Sequence, residues 1–361
     1  MFKNVFKNKK VLITGDTGFK GSWLAIWLKN LGAEVYGYSL PPKNQKDNFV
    51  VTALETKINH LDGDVRDFGK LVDYFNVVQP DFAFHLAAQP LVIDSYENPK
   101  YTFETNIIGT VNFFESVRKC NSVKVAINIT SDKCYQNNEW VWGYRENDAM
   151  GGKDPYSASK GASELITQAY LYSFFSKDNT ANIASARAGN VIGGGDWADY
   201  RIVPDFFRAL EKRESLKLRY PESTRPWQHV LEPLSGYLTL AMKLFLEGKK
   251  YSGGWNFGPI GTTNQSVRTL VEKMIEYSGI GKYEAPEIND KFFEASLLNL
   301  DISKAMHLLN WKPVLDFLET VKFTVDGYLL NNVTDIYNAR ISQINSYCKL
   351  AKNKNIEWAT H

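Results

Sequence analysis

Tyr156 and Lys160 stand four residues apart in the run Pro155-Tyr156-Ser157-Ala158-Ser159-Lys160. On a helix that spacing puts both side chains on one face, with an ammonium near a phenol oxygen. A neighbouring positive charge favours phenolate, so Lys160 is expected to bring the Tyr156 pKa down toward working pH, where the oxygen can accept a proton. Thr130-Ser131-Asp132-Lys133 forms a second group at the end of an apolar run. The Ser131 hydroxyl can share a substrate hydroxyl's proton with Tyr156. Asp132 is a candidate general acid, and Lys133 a candidate base or electrostatic stabiliser. Each group also has a plainer reading, as an ordinary amphipathic helix and as a strand-end cap. Their elements decide between the two.

The deciding element is Val11-Leu12-Ile13-Thr14-Gly15-Asp16-Thr17-Gly18-Phe19-Lys20-Gly21. Val11 to Thr14 read as a buried parallel strand, and Trp23, Leu24, Trp27, Leu28 and Leu31 as one face of the helix that follows. Gly15 suits a tight turn, Gly18 a close backbone approach to pyrophosphate, and Gly21 close helix–strand packing. The helix N-terminus offers free N–H groups to phosphate. Strand and helix patterns then alternate, with strands at 34–39, 58–61, 82–86, 123–130 and 183–188. Helices are expected at 68–78, as one long segment after Pro99 (Phe103, Ile107, Val111, Phe114 and Val117 on one face), and from Pro155 to about Phe175. A polar loop is expected over 44–56.

This is the pattern of an α/β doubly wound parallel sheet, a Rossmann domain over residues 1–188. Segments near 226–258 are expected to fold back onto it. Beyond Gly193-Gly194-Gly195 the alternation stops, and 189–361 reads as a smaller mixed α+β lobe holding substrate. There helices are expected at 202–210 and 234–246, and between a Ser266 cap and Gly279. Residues from Asp335 read as helical or frayed, with no chemical signal.

The 361 residues carry a formal charge of +2, which gives no broad basic field for nucleic acid. Cys120, Cys134 and Cys348 show neither disulfide nor metal spacing, so no metal is expected. No apolar run approaches the ~18 residues of a membrane span, and a cytoplasmic protein is expected. Ala158, Ala162, Leu165 and Ala169 share a helical face small enough for a second helix to approach, from this chain or from another subunit.

The motifs together resemble the extended short-chain dehydrogenase/reductases, in the branch that modifies nucleotide sugars. They run nearly end to end: Thr14-Gly15-x-x-Gly18-Phe19-x-Gly21, Gly63-Asp64-Val65-Arg66-Asp67, His85-Leu86-Ala87-Ala88-Gln89, Asn106-x-x-Gly109-Thr110 and Tyr156-x-x-x-Lys160. Arg187-x-x-Asn190-Val191, Arg225-Pro226-Trp227-x-x-Val230, Asn256-Phe257-Gly258 and Leu309-Asn310-Trp311-Lys312-Pro313 continue the series. An acid directly after the Ser marks the 4,6-dehydratases of that branch, and Ser131-Asp132-Lys133-Cys134-Tyr135 is similar to the subgroup acting on CDP-glucose.

The resemblance implies an oligomer, a homodimer or homotetramer through helices near 99–119 and 155–175, and a place in deoxysugar and lipopolysaccharide O-antigen synthesis. It also implies roles by position. Gly15, Thr17, Gly18, Phe19 and Gly21 would hold the cofactor's pyrophosphate, and Asp64 and Val65 would flank its adenine. Ala87, Ala88 and Gln89 would line ribose and nicotinamide, with Asn106 in support. Asn190 and Arg225 would meet the nucleotide sugar. Tyr156 would take the O4 proton as C4 loses hydride, Lys160 would hold the cofactor ribose, and Ser131 would orient O4. Asp132 would protonate the departing C6 hydroxyl, and Lys133 is one candidate for the C5 base. A 4-epimerase, a dehydratase of another nucleotide sugar, and a non-catalytic nucleotide sensor stay open.

One departure stands out. NAD-specific members usually end the second strand with an acid for the adenosine 2′-hydroxyl. Here Gly37-Tyr38-Ser39-Leu40 has none, no Arg lies near, and Lys43 is the one cation that could approach. NAD is favoured over NADP because a dehydratase returns its hydride.

Overall fold

Seven parallel strands build the central sheet: β1 (Lys10–Thr14), β2 (Glu34–Ser39), β3 (Asn59–Asp62), β4 (Phe82–His85), β5 (Val125–Ile129), β6 (Asn182–Arg187) and β7 (Gly253–Asn256). Their spatial order is β7-β6-β5-β4-β1-β2-β3. Chain order reverses between β1 and β4, and in such sheets ligands bind at that reversal, outside the carboxyl ends of the strands. The computed structural model describes residues 1–260, 264–285, 298–330 and 334–360. Among them no helix is long and apolar enough to cross a membrane.

β1 and β5 are almost wholly buried, as apolar runs covered on both faces must be. The six strands read from sequence are present, and β7 is an addition. Gly253-Gly254-Trp255-Asn256 carries little strand signal of its own; it is recruited by pairing with Ala184 to Arg187 of β6.

Helix α1 (Phe19–Asn30) is buried from Gly21 to Leu28, which corrects the one-sided face expected of it. The cause is a second cover. Helix α9 (Ile336–Asn353) and the turn after it lie on α1, and Trp27 meets Tyr347 and Trp358 edge-on at 5.8 and 5.9 Å. The long helix expected after Pro99 is also corrected. It runs as Pro99–Phe103, a π turn at Glu104–Ile108, and α3 (Gly109–Lys119). The π turn shifts the register, so Phe103 is exposed while Phe114 and Val117 join the core. A short helix, Asn48–Val51, stands inside the expected loop, its Asn48 Nδ2 donating to Ser22 Oγ at 3.0 Å.

Helix α2 (Phe68–Val78) precedes the π turn, and α4 (Pro155–Ser173) begins at an Asp154 cap that accepts from Ser157 N–H at 2.9 Å. Beyond β6 come α5 (Ile202–Lys212), α6 (Leu231–Glu247), α7 (Val267–Ser278) and α8 (Phe317–Tyr328). α7 has the expected ends: Ser266 Oγ accepts from Thr269 N–H at 3.0 Å, and Gly279 takes φ +69°. Phe206, Phe207, Leu270, Met274, Val325 and neighbours pack into a separate apolar core.

Candidate active site

The turn after β1 is as tight as its glycines allow. Gly15 has φ +81°, and a Cβ on Gly21 would stand 2.0 Å from the Gly15 carbonyl oxygen. Gly18 caps α1 without any side-chain hydrogen bond, so the first N–H groups of α1 are left for an anion. Thr17 Oγ1 donates to the Leu40 carbonyl at 2.9 Å, and the partly buried Phe19 opens the helix. This cradle fits a pyrophosphate.

The neighbouring edge is built from β3 and β4. Asp64 pairs with Arg66 at 2.6 Å; burial opposes its ionisation, but the Arg66 hydrogen bonds hold its carboxyl below the usual range. Val65 is buried beneath Gly109, where a Cβ would come within 2.8 Å. After β4, Ala87 crosses the Gly15 turn, a Gly15 Cβ falling 2.6 Å from its nitrogen, and Ala88 is half-buried. The π turn carries Asn106 inward. Its Oδ1 accepts from Gln89 N–H at 2.8 Å, and its Nδ2 donates to the Gln89 carbonyl at 3.0 Å and Ser159 Oγ at 2.8 Å. The Gln89 side chain turns away, to Thr102 and Leu91.

The candidate acid–base groups meet past β5. Ser131 caps the short turn Asp132–Cys134 and donates to Asp132 Oδ1 at 2.8 Å. Ser131 also stands near enough to the Tyr156 phenol to lower its pKa, and Asn190 Nδ2 donates to Asp132 Oδ2 at 3.4 Å. A Cβ on Gly189 would lie 2.1 Å from the Asp132 carboxylate, so the chain passes there only as glycine. Sequence motifs more than 50 residues apart thus converge on one buried carboxylate. Lys133 joins through its N–H, 3.3 Å from Ser131 Oγ; its ammonium has no hydrogen-bond or ion-pair partner among the described residues. Arg225 lies on the short strand Thr224–Arg225, paired with Gln265–Ser266, and donates to the Thr224 carbonyl at 2.7 Å. The next residue, Pro226, lines a cavity of about 10 Å³ with Asp132, Gly189 and Gln228, room for one water.

Electrostatics correct one expectation. Burial pushes the Tyr156 phenol up to about 12; Ser131 and Arg201 pull it down, Asp132 and Asp154 push it up, and Lys160 is not among these leading influences. Burial brings Lys160 down to about 8, and its charge answers chiefly to Glu164 and Cys134. The four-residue spacing sets the helical face, but burial outweighs the pairing.

Sequence reasoning missed Lys20 and Arg201. Lys20 Nζ donates to the Ala188 carbonyl at 3.4 Å. Burial and the charge of Arg201 bring it down to about 7, against the pull of Asp132. Arg201 pairs with Asp196 at 2.8 Å. An ionisable residue inside Gly18-Phe19-Lys20-Gly21 was the available signal for the first; the second follows from no local pattern.

A family model described as GDP-mannose 4,6 dehydratase matches residues 12–324. The chain belongs to that family. The CDP-glucose 4,6-dehydratase of Salmonella typhimurium is 47% identical over 323 residues, covering 88% of this chain and 90% of that protein. The CDP-paratose 2-epimerase of Salmonella typhi is 25% identical, over 88% and 98%. Among solved structures of the same fold, a Streptomyces venezuelae dTDP-glucose 4,6-dehydratase with NAD bound has a TM-score of 0.76 at 22% identity, covering 90% of this chain and 98% of its own. A Thermus thermophilus UDP-glucose 4-epimerase in complex with NAD has 0.73 at 24%, covering 88% and 98%.

Proposed function

We propose that the chain is an NAD-dependent hydro-lyase that converts CDP-glucose to CDP-4-keto-6-deoxyglucose and water. The observation that carries this is the buried Asp132 carboxylate, hydrogen-bonded to the same Ser131 that meets Tyr156. It supports elimination beside a carbinol-oxidising tyrosine, in a chain 47% identical to a CDP-glucose 4,6-dehydratase.

A bound NAD would supply the hydride acceptor for C4 and the hydride donor for C6. Gly15, Thr17, Gly18, Phe19 and Gly21 would hold its pyrophosphate, Asp64 and Val65 its adenine, and Ala87, Ala88 and Gln89 its ribose and nicotinamide, with Asn106 bracing Gln89. In this reading Tyr156 Oη accepts the O4 proton and Ser131 Oγ orients O4. Ser131 and the positive charge of Arg201 oppose the burial that disfavours phenolate. Lys160 also holds the cofactor ribose. The 4-ketone acidifies C5–H; Lys133 Nζ removes that proton and later returns it. Asp132 protonates O6 as it leaves. Asn190 and Arg225 bind the nucleotide sugar, Arg225 at the diphosphate.

The cofactor lobe spans residues 1–188 with 226–258 returning to it, and 189–361 supplies the sugar-nucleotide side. We place the enzyme in the cytoplasm, on a deoxysugar route such as O-antigen synthesis, acting on no nucleic acid. We also propose a homodimer or homotetramer through helices in 99–119 and 155–175. Phe103, Ile108, Leu165 and Tyr172 are exposed there, and Leu165 and Ala169 continue the small-residue face of α4. Leu165→Glu should shift the sedimenting species toward monomer; an unchanged distribution would place the interface elsewhere.

The activity is tested by incubating the protein with CDP-glucose and NAD and weighing the product. Loss of one water is expected. A product of unchanged mass would mean a 4-epimerase, and binding without conversion a sensor.

A further inference from the structure

The end of β2 holds no acid, yet a carboxylate stands there. Asp16 reaches across from the turn after β1 and tucks against Gly37, where a Cβ would lie 2.0 Å from its Oδ2. It is fully buried and held from two sides. Ser39 Oγ donates to Oδ1 at 2.9 Å, and His60 Nδ1 lies 2.7 Å from Oδ2. His60 Nε2 continues to Asp62 Oδ1 at 3.1 Å, which orders four side chains along the carboxyl edge of β2 and β3.

Ser39 is the last residue of β2, 21 residues after Gly18, which is the place of the acid in the dinucleotide fold. A hydroxyl has one proton, and here a buried carboxylate takes it. Toward any ligand the Ser39 oxygen can then only accept, as a carboxylate oxygen does. Its remaining neighbours agree. Thr17 N–H donates to it at 3.3 Å, and Thr17 Oγ1, whose own proton goes to the Leu40 carbonyl at 2.9 Å, is a second acceptor for the Ser39 proton at 2.9 Å, so that proton stays within the protein.

We infer that Ser39, with Asp16 behind it, reads the cofactor's 2′-hydroxyl and rejects a 2′-phosphate. The 2′-hydroxyl is a donor and finds an acceptor. A 2′-phosphate brings only acceptors and negative charge to an edge that already holds two carboxylates, Asp16 and Asp62, against the one imidazole of His60 between them. The nearby cations do not reverse this. Lys43 interacts with Asp47, and Arg66 is bound to Asp64 at 2.6 Å and Glu104 at 3.5 Å. The chain thus moves the selecting carboxylate from the end of β2 to the turn after β1 and acts through a serine.

This rests on the NAD reading above, and a binding measurement separates the two. Dissociation constants of NAD and NADP are measured for the whole chain by isothermal titration, without substrate. Wild type is expected to favour NAD. Ser39→Ala should weaken NAD roughly three- to tenfold and leave NADP nearly unchanged. Asp16→Asn presents an amide N–H to Ser39 and frees the serine proton for donation. It should strengthen NADP and narrow the NAD:NADP ratio by about tenfold. Ser39→Ala removes one oxygen and keeps the test open if Asp16→Asn folds poorly. If wild type binds neither cofactor, the dinucleotide reading falls and this inference with it. If wild type binds NAD but the ratio survives both substitutions, only the role of Ser39 and Asp16 falls.

Discussion

Glu164→Gln removes one negative charge and almost no volume from behind the acid–base group. Glu164 and Arg187 are both buried, 2.8 Å apart, with Ser185 Oγ donating to the same carboxylate oxygen at 2.6 Å and Thr130 Oγ1 donating to the other. The substitution leaves a guanidinium without its counter-charge in a site of almost no exposure, and breaking such a pair costs about 3–5 kcal/mol. For 361 residues the unfolding entropy is roughly 0.76 kcal/mol/K, so Tm should fall by about 4–7 °C. Thermal melts by circular dichroism measure this directly, and Glu164→Gln with Arg187→Met should recover part of the loss. The same change reaches catalysis. Glu164 props up the Lys160 pKa against burial. Without it Lys160 deprotonates at lower pH, so the alkaline limb of the kcat/KM profile should move to lower pH. A Tm within ~1 °C of wild type, with an unmoved alkaline limb, would refute both halves of the reasoning.

Asp132→Asn should still oxidise C4 but stall before water is lost, so reduced-nicotinamide absorbance should build up on mixing with CDP-glucose; loss of all reduction with substrate binding intact would assign Asp132 to the oxidation step. Arg225→Ala removes a charged hydrogen bond worth about 2–3 kcal/mol and should raise KM roughly 30- to 150-fold with kcat little changed. A wild-type KM would place the diphosphate elsewhere. Burial raises the Glu232 pKa from 4.5 to about 7, against the hydrogen bonds of Val314, Leu315 and Tyr347. The folded state therefore binds this proton more tightly than the unfolded chain, and its contribution to stability is full below about pH 4.5 and lost as pH rises through about 7. Denaturant titrations across that window should show a falling component in wild type that Glu232→Gln lacks.

The placement of the candidate site was largely legible because its residues sit on short runs whose geometry is local. Gly15, Gly18 and Gly21 act within one turn, Tyr156 and Lys160 within one helix, and Ser131 and Asp132 at one strand end. What escaped depends on distant packing. Gly253–Asn256 is a strand because β6 offers an edge, and α1 is buried all round because α9 arrives from far along the chain. The π turn at Asn106 follows from no periodicity in Phe103, Ile107 and Val111. The Tyr156 pKa depends on desolvation, a property of the assembled interior and of no spacing.

The cover of α1 also bears on how the chain is made. Trp23 and Trp27 leave the ribosome early, but Tyr347 and Trp358, which close over Trp27, come more than 300 residues later. At about 5–20 residues per second that interval is roughly 15–60 s. Throughout it the side of Trp27 that Tyr347 and Trp358 will close over stays open, a natural target for chaperones that grip translating chains.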